Sequence, residues 1–232
     1  MKLVALETST HHLSIALWLD GTLLERSEVI PNGGSERLLP WLSELLADAG
    51  ASLTQIDGIA FGAGPGGFTG LRLACGVAQG LACGLDLPVL GVSSLEALAL
   101  AAYSGSTERL FASLDARMNE VYFAAYLIHD GVSETVQAPA VAAPQSVLAP
   151  QAWDAIDWVG CGNGFVAYPE MLKAVAHALR ADCWPTAAAV ARLAAPRLAR
   201  GEGVDVALAA PLYVRDKVAL TTAERYARGG LK

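Results

Sequence analysis

"LVALETSTHHLSIALWLDG", residues 3–21, decides how the chain folds. Leu3–Leu6 is an unbroken apolar run, as expected of a strand covered on both faces. Glu7–His12 is polar and reads as a turn, Leu13–Leu19 reads as a second strand, and Asp20-Gly21 is a hairpin signal because both residues tolerate positive φ. A third strand is predicted over Leu23–Val29. After a break at Ser104–Glu108 the order returns in "RLFASLDARMNEVYFAAYLIHDG", residues 109–131: strand, carboxylate, polar turn, alternating strand, Asp-Gly. Asp115 takes the place of Glu7 in this echo. Two units with one plan predict duplicated α/β lobes facing each other across a cleft.

The intervening elements follow from periodicity. Ser35 is the expected N-cap of a helix ending at Gly50, with Leu38, Leu42, Leu45 and Leu46 on one face and Pro40 in its first turns. A strand is predicted at Ile56–Phe61, then the glycine loop "GAGPGGFTGLR" (62–72). Next come a helix over Phe68–Leu85, a strand at Val89–Val92 and a helix over Ser94–Ala102. In the second, reduced lobe, Ala138–Pro150 is rich in proline and alanine and reads as irregular. Trp158–Gly160 reads as a strand, Tyr168–Leu179 as a helix and Pro185–Arg200 as the last helix, before an extended segment at 207–219. The expected divisions are 1–105 and 106–185 for the lobes. Residues 186–232 are expected to pack back between or onto them.

Composition removes several function classes. With 53% hydrophobic and 17% charged residues in 232, the chain buries a sizeable core and is not disordered. The apolar run Leu71–Leu85 carries Arg72 and Gln79 and falls short of the ~20 residues of a membrane span. Glu7 interrupts any secretory h-region, so a cytoplasmic location is expected. Cys75 and Cys83, eight positions apart on one predicted helix, stand about 12 Å apart and are too distant to bridge. All four cysteines read as small buried residues. A net charge of −7, with a mild basic cluster only at Arg215, Lys217, Arg225, Arg228 and Lys232, argues against unaided grip on nucleic acid.

Chemistry-bearing motifs are sparse. The glycine loop lacks the Lys of a P-loop, and its match to G-x-G-x-x-G at Gly62, Gly64 and Gly67 is weak in so glycine-rich a stretch. It reads as a strand-to-helix corner. In the helix that follows, Gly76, Gly80 and Gly84 recur every four residues beside Ala74, Ala78 and Ala82, a pattern that admits close helix packing. Glu7 with Thr8, Ser9 and Thr10 either orients a metal-bound phosphate or hydrogen-bonds its own turn; both readings stay open. Asp115 and Arg117 suggest an ion pair at the cleft rim. His11 and His12 point to opposite faces, and no His-x-x-x-His pair exists, so no metal and no cofactor are expected. No G-x-S-x-G elbow supports a serine hydrolase.

Taken in order, "LVALETSTHHLSIALW", "GAGPGGFTGLR", "GVAQGLA", "PVLGVSSLEALA", "LDARMNEVYFAAY" and "APLYVRDKVA" resemble the bacterial TsaB (YeaZ) family, from residue 3 to about residue 219. The resemblance implies a two-lobed actin/Hsp70/sugar-kinase fold and a part in making threonylcarbamoyladenosine in tRNA. It further implies a catalytic paralogue, TsaD, and a small ATPase, TsaE, as partners. TsaD-like chains carry a metal-binding His-Met-Glu-Gly-His after the strand that is "PVLGV" here. This chain has Ser94 and Leu98 at the two histidine positions, which implies an accessory subunit without catalysis of its own.

The expected partner or homodimer face comprises Leu38, Trp41, Leu42, Leu45, Arg72, Gly76, Val77, Gly80, Cys83 and Gly84. Candidate vestigial nucleotide contacts are Glu7, Thr8, Ser9, Gly64, Gly66 and Asp115. Contact with tRNA is expected only through the complex. The alternative is an ATP-dependent small-molecule kinase or ATPase of the same fold, with Glu7 and Asp115 flanking a magnesium nucleotide; a metallopeptidase lacks its ligands.

Overall fold

A computed structural model describes residues 1–30, 34–150 and 157–215. Lys217, Arg225, Arg228 and Lys232 of the basic cluster, and the end of the extended segment, lie outside the described residues.

Two five-stranded sheets form the frame. The first runs β3(Thr22–Val29)-β2(His12–Leu19)-β1(Lys2–Glu7)-β4(Gly58–Gly64)-β5(Val89–Ser93), and the second β8(Val132–Ala142)-β7(Glu120–His129)-β6(Glu108–Arg117)-β9(Val159–Cys161)-β10(Ala178–Arg180). The orders are the same: an antiparallel meander whose first strand pairs in parallel with the fourth. This is the duplicated, two-lobed actin/Hsp70/sugar-kinase architecture.

Side-chain alternation on the strands sorts the helices into layers. Leu3, Ala5 and Ala60 of the first sheet, and Leu110, Ala112 and Cys161 of the second, share one central core with α3(Ser94–Ala102) and α6(Ala187–Ala199). Val4, Leu6, Ile59 and Phe61 face outward beneath α1(Ser35–Asp48) and α2(Phe68–Leu85). Phe111, Trp158 and Phe165 form the outer core of the second lobe, where α4(Gly164–Ala167) and α5(Leu172–Val175) are each a single turn. Ser14 and Glu25 hold α6 on the first sheet: Ser14 Oγ and Glu25 Oε1 accept the amides of Ala187 and Ala188, each at 2.8 Å. A carboxylate at a helix N-terminus is electrostatically favourable. Arg197 of α6 forks onto the Glu96 carboxylate of α3, tying the central helices together.

Several expectations need correction. The Glu7–Asp115 equivalence is one position off. Ala5 pairs with Ala60 and Ala112 with Cys161, and all four face the central layer, so Glu7 corresponds to Leu114 and Asp115 to Thr8. Ser35 is the first helical residue of α1, not its cap; Gly34 caps it at φ 94° with no side-chain bond. β4 begins at Gly58 and carries on to Gly64 because Gly62 and Gly64 still pair with Val92 and Ser93. The stretch from Ala138 is not irregular throughout: through Ala142 it belongs to edge strand β8, where the pairing shifts register twice and the missing amide of Pro139 is tolerable. The helix expected over Tyr168–Leu179 breaks into a 3-10 turn at Pro169–Met171, the single turn α5 and strand β10. Parallel pairing of β10 with β9 overrides the local helical pattern.

Candidate functional site

The glycine loop wraps a piece of its own chain. A Cβ at Gly62 would overlap the Glu7 carboxylate, one at Gly70 would overlap the carbonyl oxygen of Thr8, and one at Gly66 would stand 2.5 Å from that of Ser9. Gly67 N–H donates to Ser9 O at 2.7 Å, and Thr8 Oγ1 donates to Gly70 O at 2.6 Å. The loop therefore cradles the β1–β2 turn. Close approach to this turn requires glycine at 62, 66 and 70.

Glu7 lies behind that turn with no exposed surface. Its Oε1 accepts the Ser9 amide at 2.6 Å and its Oε2 the Ser94 hydroxyl at 2.8 Å. Burial raises its pKa above the ordinary carboxylate value, against the lowering effect of those hydrogen bonds. The carboxylate thus hydrogen-bonds its own turn, one of the two readings given above. Leu98 is wholly buried in the central core, and Ser94 is buried as well. Among the described residues, no group of three or more His, Cys, Asp or Glu stands close enough to hold a metal ion.

In front of the turn opens a cleft of about 650 Å³ between the lobes. Thr8, Ser9, Gly66 and Asp115 line it; Glu7 and Gly64, also expected there, do not. Gly64 is buried, with φ 114°. Asp115 is engaged locally: its Oδ1 accepts the Arg117 amide at 2.8 Å and its Oδ2 lies 3.1 Å from the Arg117 guanidinium, the expected rim ion pair. Asn163 Oδ1 accepts the Asp115 amide at 3.0 Å. Two details go beyond the sequence reading. Leu212–Arg215 form part of the cleft wall, and Phe68 and Tyr213 place partly exposed rings 6.2 Å apart at its mouth.

The outer face of the first lobe is the second candidate. α2 is 18 residues long with a mean hydropathy of 1.2, which by length and composition alone could cross a membrane, yet only 28% of it is buried. Its alanine stripe (Ala74, Ala78, Ala82) packs inward and its glycine stripe faces out. A Cβ at Gly76, Gly80 or Gly84 would meet nothing within 4 Å. Arg72 and Cys83 are exposed beside them and Val77 and Trp41 half-buried, but Leu38, Leu42 and Leu45 are 0%, 3% and 0% exposed. Those three leucines pack under α1 against the sheet and cannot touch a partner, because their i, i+4, i+7 stripe is the core face. Leu39, off that stripe and 53% exposed, was missed. The four cysteines are not uniformly buried either: Cys75 and Cys161 are, Cys183 is intermediate and Cys83 is exposed.

Residues 29–223 match the model of the TsaD family, tRNA N6-adenosine threonylcarbamoyltransferase. The tRNA threonylcarbamoyladenosine biosynthesis protein TsaB of Escherichia coli is 38% identical over 224 residues, covering 94% of this chain and 96% of that protein. The chain belongs to the TsaB family. Solved structures agree: YeaZ from Pseudomonas aeruginosa superposes with a TM-score of 0.85 at 46% identity, covering 91% of this chain and 99% of that one. A second Pseudomonas aeruginosa structure, an uncharacterised protein with similarity to peptidase YeaZ, gives 0.86 at 45% identity over 92% and 99%.

Proposed function

We propose that the chain is a non-catalytic accessory subunit for threonylcarbamoylation of the adenosine next to the anticodon in tRNAs that read codons beginning with A. It acts in the cytoplasm and seats a TsaD-like catalytic paralogue on the outer face of α1 and α2. Their joint surface recruits a TsaE-like ATPase, and tRNA is reached only through the complex. Without its partner the chain pairs with a second copy through the same face, since duplicated relatives present similar surfaces.

The exposed glycine stripe of α2 carries this reading. Glycine inside an exposed helix costs ~0.5–1 kcal/mol against alanine, and at these three an added Cβ would meet nothing within 4 Å among the described residues, so no packing seen there explains them. They do let another helix approach closely. Gly80→Leu is the test, because Gly80 is exposed and an added Cβ meets nothing within 4 Å among the described residues. Loss of TsaD-like partner from a pull-down, with a circular dichroism melt no lower than the parent's, supports this face; retained binding refutes it.

The kinase reading needs Glu7 and Asp115 to flank a magnesium nucleotide. Glu7 has no exposed surface and Asp115 is tied to Arg117, which favours the accessory role. Calorimetry of the isolated chain with ATP and magnesium separates the two, and turnover would overturn the accessory role.

A further inference from the structure

We propose that residues 209–215 form a latch that holds the two lobes together across the cleft and opens as a unit while the rest of the chain stays folded. The segment is fastened at both ends by different means. On the first lobe, Ala209 O accepts Gln79 Nε2 of α2 at 3.0 Å, and Leu212 N–H donates to Ala63 O of β4 at 2.7 Å. Gly64 is needed for this approach: a Cβ there would stand 3.1 Å from Leu212 O and 2.9 Å from Leu71 Cδ1. On the second lobe, Arg215 Nη2 donates to Glu120 Oε2 at 2.5 Å and to Ala116 O at 3.1 Å, with the guanidinium 5.6 Å above the Tyr122 ring.

The chain between these anchors carries little that would hold it. Leu212 and Tyr213 are exposed, and Pro211 has no amide to donate. Tyr213 meets the chain through a tilted contact with Phe68, itself 43% exposed. Ala209 is buried in the outer core of the first lobe and fixes that end, but beyond it the segment has few buried apolar contacts and a handful of hydrogen bonds, the marks of the low-stability end of a fold. The two lobes meet the strap on opposite walls of the cleft, so the wall it forms is the one that can leave without unfolding either sheet. The Arg215–Glu120 pair is the catch. Its arginine side chain is 15% exposed against 38% for the glutamate, so the pair is shielded enough to matter, while the carboxylate stays reachable by solvent.

Native-state hydrogen exchange at the Leu212 amide, with hydroxyl-radical footprinting of Tyr122, tests the latch. Arg215→Ala should speed Leu212 exchange roughly tenfold, the scale of one lost charge-assisted hydrogen bond, and raise Tyr122 oxidation, while β1 amides such as Ala5 keep their rates. The double variant Arg215→Glu with Glu120→Arg should recover most of the protection. Unchanged Leu212 exchange in Arg215→Ala overturns the latch. So does acceleration shared equally with Ala5, which would mean the segment opens only with the whole chain. A double variant as fast as the single one removes Glu120 as the catch.

Discussion

The Ser94 hydroxyl donates to Glu7 Oε2 at 2.8 Å, joining the first turn of α3 to the end of β1 inside the central layer. A hydroxyl on α3 thus supports a buried carboxylate at the end of β1. Because burial raises that carboxylate's pKa above 4.5, the folded chain holds the proton more tightly than the unfolded chain. Stability therefore falls as pH rises from 4.5 through the raised value. Glu7→Gln should flatten this slope in denaturant midpoints measured from pH 5 to 8, since the Ser94 hydroxyl can turn to accept from the amide. Glu7→Ala should cost ~2–4 kcal/mol at the acid end of that range by opening a cavity and orphaning the Ser9 amide, and less as pH rises and the ionised parent loses stability.

Glycines on one chain should divide sharply by what lies against them. Gly62→Ala should destabilise by ~2–4 kcal/mol because its methyl overlaps Glu7. In a Glu7→Ala background the cost should shrink, giving a large coupling in a double-mutant cycle. Gly76→Ala should instead stabilise by ~0.5–1 kcal/mol, as an unobstructed helical position. Thermal melts of the four variants decide it.

The Arg180 guanidinium beside Glu108 holds that carboxyl down to about 2, with help from Ser104. Its stabilisation is present above 4.5 and is lost as pH falls toward 2. After allowance for partial solvent access, about 2 kcal/mol is at stake. Arg180→Gln should unfold at higher pH than the parent in an acid titration followed by fluorescence, and by the same margin as Glu108→Gln if the pair acts as one.

Thiol reagents should find one fast site. Cys83 is exposed on the outer face of α2, whereas Cys75 and Cys161 are buried with thiol pKa values raised by burial. Mass spectrometry after brief maleimide treatment should show Cys83 modified first and Cys161 last. Prior binding of the TsaD-like partner should slow Cys83; labelling at an undiminished rate would place the partner elsewhere.

Much of the first lobe was legible because its signals are local. Phe68–Leu85 and Ser94–Ala102 form helices over the expected bounds: glycine and serine open them, and their apolar periodicity is unbroken. The duplication was legible for the same reason, since Asp20-Gly21 and Asp130-Gly131 both mark hairpins with their aspartates near φ 50°. The second lobe was harder. Its helices shrink to single turns, so too few residues carry a period, and β10 exists only because β9 lies beside it.

The chain's own order of residues determined the two-lobed plan, the strand-turn-strand openings and the helices that pack between and over the sheets, because alternation and capping act over a few residues at a time. Which side of each helix meets water, and what each polar group faces, was decided only in three dimensions. Gly76 looks out and Ala78 looks in; Glu7 turns from the cleft toward Ser94; Arg215 reaches Glu120 across 95 positions. Such partners come from distant parts of the chain, and burial and close approach are properties of the packed whole.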